Sequence, residues 1–157
     1  MKVKRGLSVT KDIDFLHQRS CVVSTDDKEI REELKTSLIK MYEAYDGKMQ
    51  GLSAVQCGLA YRAILLRFKK GEVPMVVYNP KVLMKVGSKI SNEGCLSEGD
   101  DRYEVKRPRL CLVKYYDDNM KCHIVFYGFR KARIFCHEVD HLEGILLQDI
   151  GKLVKEK

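Results

Sequence analysis

Residues 130–144 read RKARIFCHEVDHLEG, which places an apolar face and a metal-binding pattern on one predicted helix. Ala132, Phe135, Cys136, Val139 and Leu142 recur at helical spacings on a broad apolar face, and Gly144 suits a C-terminal stop. Within the helix lies His137-Glu138-Val139-Asp140-His141, an H-E-x-x-H pattern. At about 3.6 residues per turn, positions i and i+4 stack, so both imidazoles can reach one metal ion while Glu138 sits beside them, near an activated water. The plain alternative is a pair of histidines on an exposed helix.

A hydrolytic site of this kind wants three protein ligands and an open position. In the longer H-E-x-x-H-x-x-G-x-x-H pattern the third histidine would stand at Leu147, and Glu143, Asp149 and Glu156 are poor substitutes, so a ligand from upstream is favoured. Cys95 stands out there. It lies in Glu93-Gly94-Cys95-Leu96-Ser97, continued by Glu98-Gly99-Asp100-Asp101, a polar, glycine-bearing segment rather than an alternating strand. Cys111 and Cys122 read as small core residues, Cys21 and Cys57 have no nameable partner, and His17 and His123 read as isolated. With no C-x-x-C pair and no export signal, the six cysteines are expected to be reduced thiols.

Working outward, Ile30, Leu34, Leu38, Met41 and Tyr45 predict a helix across 25–47, opened by an Asp26/Glu29 capping box and closed by Gly47. Strands are expected over 63–68 and 75–78, the latter closed by Asn79-Pro80. Segments 110–116 and 121–127 flank Asp117-Asp118-Asn119 and predict an antiparallel hairpin. Helix, strands and helix make an α+β fold. With 157 residues, three prolines and no repeats, residues 1–157 are expected to form a single domain.

Apolar runs such as 64–66 and 145–147 are far too short to span a membrane. The N-terminal residues carry Lys2, Lys4 and Arg5 without a signal-peptide core, which predicts a cytoplasmic protein. The 29 Lys and Arg against 22 Asp and Glu give +7, but the basic residues are dispersed, so a solvated, positively biased surface is expected over a nucleic-acid groove.

Three segments carry a resemblance to the peptide deformylase family. Glu93 to Ser97 resembles its E-G-C-L-S motif, His137 to Gly144 its H-E-x-D-H-L-x-G, and Gly51-Leu52-Ser53-Ala54-Val55-Gln56 its G-L-A-A-x-Q. The resemblance implies antiparallel β-sheets packed around the C-terminal helix, with the N-terminal helix outside. It implies that Cys95, His137 and His141 hold one divalent ion, iron(II) being expected in the cell with zinc or nickel as alternatives. It makes Glu138 the general acid/base and gives the oxyanion to the Gln56 amide and the Leu96 N–H. Gly51 would let the peptide approach closely, Arg102 would lie near the peptide tail, and Glu93 with Arg107 would pair behind the metal loop. The implied substrates are N-formylmethionyl peptides met beside the ribosome, the products formate and a free N-terminal methionine, and the enzyme a monomer.

Departures from the family pattern bear on the substrate pocket. Met49 and Gln50 replace the usual glycine and aliphatic residue, Ser53 an alanine, Cys136 a glutamine, and Arg130 a leucine that often lines the pocket. Gln50 and Arg130 are expected to put polar groups around the methionine pocket, keeping hydrolysis while altering side-chain preference. A zinc endopeptidase is disfavoured by the missing downstream ligand, and a noncatalytic binder by the presence of Glu138 and Gln56, which it would not need.

Overall fold

The computed structural model describes residues 7–155; Lys2, Lys4, Arg5 and Glu156 lie outside them. A short helix α1 (Ile13–Leu16) precedes α2 (Lys28–Ala44), then β1 (Gly51–Ser53), a 3-10 turn (Ala54–Cys57), β2 (Ala63–Leu66) and β3 (Met75–Val86). There follow β4 (Lys89–Gly94), a 3-10 turn (Leu96–Glu98), β5 (Arg102–Arg107), β6 (Leu110–Tyr116), β7 (Cys122–Gly128), α3 (Arg130–Leu142), α4 (Leu147–Ile150) and β8 (Lys152–Leu153). The strands form an antiparallel five-stranded sheet, β1-β2-β3-β6-β7, and a three-stranded sheet, β4-β5-β8.

Strand β2 explains how the two helices take their places. It is buried throughout, which is why it reads as an unbroken apolar run. Ala63 and Leu65 face α2, packing with Leu34, Leu38 and Met41; Ile64 and Leu66 face α3, packing with Phe135, Val139 and Leu142. The larger sheet therefore carries α2 on its outer face and α3 on its inner face. Helix α3 also packs against β5 of the smaller sheet, so the antiparallel sheets embrace the H-E-x-x-H helix as expected.

Several boundaries differ from the sequence reading. Helix α2 is capped by Asp27, not Asp26: the Asp27 carboxylate accepts the Ile30 N–H at 3.0 Å. Strand β3 does not stop at Asn79-Pro80 but runs through it. Asn79 adopts φ 49° and exchanges 2.8 Å side-chain hydrogen bonds with both the N–H and the carbonyl of Val23. The register against β6 shifts between Tyr78 and Lys81, so this bulge lifts the proline out of the ladder without ending the strand.

Strands β4 and β5 were not foreseen. Strand β4 is polar and largely exposed, pairing with β5 alone, so it offers no apolar alternation to read. Cys111 is buried, but Cys122 is exposed and not a core residue, because β7 turns that position to solvent. His17 and His123 are not isolated: they pair with Asp149 at 3.0 Å and Asp117 at 2.8 Å.

Candidate metal centre and substrate cleft

Three elements converge on one point. Strand β4 ends at Gly94 and delivers Cys95 to the start of the 3-10 turn, and α3 presents His137 and His141 one turn apart, ring centroids 5.1 Å from each other. A ligand atom from each of the three residues lies within 4.8 Å of the others, with Cys95 Sγ 3.4 Å from His141 Nε2. One thiolate and two imidazoles at this spacing suit a single divalent ion. Two of the downstream carboxylates are committed elsewhere: Asp149 to His17 and the Leu146 N–H, Glu143 to Arg19 and Arg62.

Glu93 orders the ring of His137. Its Oε1 lies 2.9 Å from His137 Nδ1, and the same carboxylate takes a two-pronged contact from Arg107, both distances 2.9 Å. The imidazole is thereby turned so that Nε2 is free to face Cys95. Arg107 also reaches Asp140 at 2.6 Å, so the fourth residue of the H-E-x-x-H stretch clamps the helix to β5. Although burial opposes it, hydrogen bonds from His137 and Arg107 hold the Glu93 carboxyl down at about 2.

Glu138, the next residue on α3, is buried and also faces the cleft. Burial raises its carboxyl pKa, against the opposing influence of His137, a Ser53 hydrogen bond and Arg107. The Ser53 hydroxyl lies 2.7 Å from Glu138 Oε2 and 3.0 Å from the Glu138 carbonyl. Gly51 explains how the carboxylate fits: a Cβ there would fall 2.7 Å from Oε1 and 2.8 Å from Cγ. The glycine thus makes room for the protein's own carboxylate, a reason beyond the substrate approach expected from sequence.

Gln56 sits in a 3-10 turn with a capping box: the Ser53 N–H donates to its Oε1 at 3.0 Å. That fixes the amide so that Nε2 points to Ser97 Oγ at 3.1 Å and Cys95 Sγ at 3.5 Å. Leu96 opens the second 3-10 turn, where an N–H has no partner within the turn itself. This turn is tied down by Glu98, which accepts the N–H groups of Leu147 at 3.0 Å and Gln148 at 2.9 Å.

These groups line a cleft of about 330 Å³. Gln50, Gly51, Gln56, Glu93, Cys95, Leu96, Arg102, His137 and Glu138 all face it; His141 lies deeper, and Arg107 stands behind Glu93. Arg102 is held at the rim by Asn92, at 2.6 Å and 3.0 Å. Arg130 does not line this cleft. It opens α3, one turn too early, and faces a neighbouring cavity. Arg133 takes the place expected of it, as its position four residues before His137 on the same helical face should have indicated. Ser53, Asn92, Ser97, Glu98 and Asp140 are further contributors to which the sequence assigns no role.

An α+β scaffold that gathers a thiol, two imidazoles and a buried carboxylate in one cleft defines a metal-dependent hydrolase. Residues 8–156 match the polypeptide deformylase family model. A peptide deformylase of Alkaliphilus metalliredigens is 35% identical over 147 residues, covering 94% of this chain and 95% of that one. Among solved structures, a probable peptide deformylase of Synechococcus phage S-SSM7 superposes with a TM-score of 0.81 at 32% identity, covering 95% and 99% of the two chains. A class I type b peptide deformylase of Acinetobacter baumannii gives 0.83 at 28% identity, covering 92% and 97%. The chain belongs to the peptide deformylase family, metal-dependent hydrolases that remove the N-formyl group from nascent peptides. No described helix is long and apolar enough to cross a membrane.

Proposed function

We propose that Cys95, His137 and His141 hold one divalent ion and that Glu138 moves the proton during hydrolysis of the formyl amide. The observation that carries this reading is the gathering of one sulfur and two imidazole nitrogens within 4.8 Å of one another, beside a buried carboxylate. The donor set fits zinc and also accepts iron(II) or nickel; iron(II) is the ion we assign in the cell. Bound there, the ion would supply acidified water and a polarised formyl carbonyl.

Glu138, made more basic by burial, takes a proton from the attacking water and delivers it to the peptide nitrogen as the C–N bond breaks. The Gln56 amide and the Leu96 N–H meet the negative charge that develops on the formyl oxygen, a donor contribution of about 3 kcal/mol each. Gly51, Gln50 and Arg102 line the path of an extended N-formylmethionyl peptide, and Glu93 with Arg107 hold His137 in its orientation. The whole chain, 1–157, acts as one catalytic domain, a cytoplasmic monomer whose charge of +7 favours work beside the anionic ribosome.

The test is formate release from a formyl-Met peptide by anaerobically metal-loaded protein, with metal content measured on the same sample. Glu138→Ala should retain the ion and lose about 10²- to 10⁴-fold in rate. Formate release at near the parent rate by that variant would overturn the assignment.

A further inference from the structure

Beside the catalytic cleft lies a second cavity of about 450 Å³, and Asn92 and Arg133 belong to the walls of both. Its remaining lining joins four cations, Lys89, Arg107, Arg109 and Arg130, to Ser91 and an apolar floor of Ile90, Pro108 and Phe129, with no carboxylate on its wall. Only Arg107 has its charge met, by Glu93 and Asp140. Among the described residues, Lys89, Arg130 and Arg133 form no ion pair or side-chain hydrogen bond, and Arg109 contacts only the Ser88 carbonyl. Arg133 is half-buried between the two cavities, so its guanidinium is partly withdrawn from water without a protein anion to receive it. Guanidinium groups in that state select planar anions, to which they offer paired N–H donors.

We propose that this cavity is an extension of the substrate site that takes a carboxylate side chain of the formylated peptide, with Arg133 as the selecting residue and Arg130 in support. The proposal rests on the deformylase reading of the adjoining cleft. The cavity is concave, has room for a side chain together with part of its backbone, and shares Asn92 and Arg133 with the catalytic cleft, which favours a peptide already seated there over a nucleic-acid backbone. Formylated chains with Asp or Glu among their first three residues are therefore the preferred substrates.

The experiment measures kcat/KM for formate release by metal-loaded enzyme on C-terminally amidated peptides, so that no terminal carboxylate confuses the result. Formyl-Met-Ala-Ser is the parent peptide, and versions carrying Ala, Glu or Lys at each of the three positions are compared. At one position or more, Glu should be favoured over Ala by about tenfold, the factor expected of one charge-assisted contact, and the preference should shrink in high salt. Arg133→Lys should keep part of it and Arg133→Glu should reverse it toward Lys; if Arg133→Glu does not fold, Arg130→Glu should weaken it. A Glu-to-Ala ratio within twofold at every position overturns the proposal, as does a ratio unmoved by the charge reversals. Competition by a short RNA without any peptide charge preference would overturn it in favour of a nucleic-acid site. Formate from no peptide at all would instead sink the activity on which it stands.

Discussion

Replacing Gly51 by Ala would place a methyl carbon 2.7 Å from Glu138 Oε1, 2.8 Å from Cγ and 2.9 Å from Cδ, three contacts that real Cβ atoms do not make. To reach the 3.4 Å at which ordinary contact begins, the carboxylate must retreat by about 0.7 Å, the difference between 3.4 and 2.7. It cannot retreat freely, because Ser53 Oγ stands 2.7 Å from its other oxygen. The backbone of Gly51 is strand-like and pairs with Leu66, so alanine is conformationally acceptable and the penalty falls on the carboxylate. A misplacement approaching 1 Å at a catalytic group can cost about 10²-fold, which is about 2.7 kcal/mol of barrier. Overpacking should lower stability by about 1–3 kcal/mol. Steady-state formate release, read alongside metal content and urea denaturation, separates these effects: the rate should fall about 100-fold with the ion retained. A Gly51→Ala enzyme within threefold of the parent rate would refute the view that Glu138 occupies the space the glycine leaves.

Four other outcomes are expected. Gln56→Leu should lower kcat by about 100-fold with little change in metal content, since it removes one oxyanion donor. Adding a divalent ion at about 100 times its Kd to metal-free protein should stabilise it by about 2.7 kcal/mol and raise Tm by about 5–10 °C; Cys95→Ala and His141→Ala should each abolish the rise in a thermal scan. Glu93 is held at about 2 against an ordinary 4.5, so the stability it contributes is complete above pH 4.5 and drains away as pH falls from there to about 2; denaturation of Glu93→Gln across that window should show a flatter profile than the parent. Gly144 adopts φ +74° and a Cβ there would lie 2.3 Å from the His17 carbonyl oxygen, so Gly144→Ala should cost at least about 2 kcal/mol by chemical denaturation.

The parts of the fold that declared themselves in sequence are those buried on one face or on both. Helix α2 and the β6–β7 hairpin follow from periodicity and turn chemistry, and α3 from its apolar face. Strand β4 escaped notice because its stability comes from pairing and from Glu93–Arg107 rather than from apolar side chains. Strand β5 does alternate, with Tyr103 and Val105 turned inward, but its third inward residue is the charged Arg107. Cys95 could be picked out by its neighbours, but its meeting with two imidazoles depends on how β4 delivers it, which no local pattern encodes. The polar partners were harder still. The distance between Ser53 and Glu138 spans 85 positions of chain, and that between Glu93 and His137 spans 44, so neither contact leaves a local trace. Arg133 was within reach of simple helical geometry.

The carboxylate of Glu93 answers to an arginine from one strand and an imidazole from a helix, and that arginine in turn answers to Asp140. Mutational drift at any one of these positions strands the others: Gln at 93 leaves the guanidinium with Asp140 as its one remaining counter-charge, and Asp falls short of one partner or the other. Viable sequences for this quartet should be islands in sequence space, and a saturation library over 93, 107, 137 and 140 would recover survivors as matched sets rather than as independent tolerances.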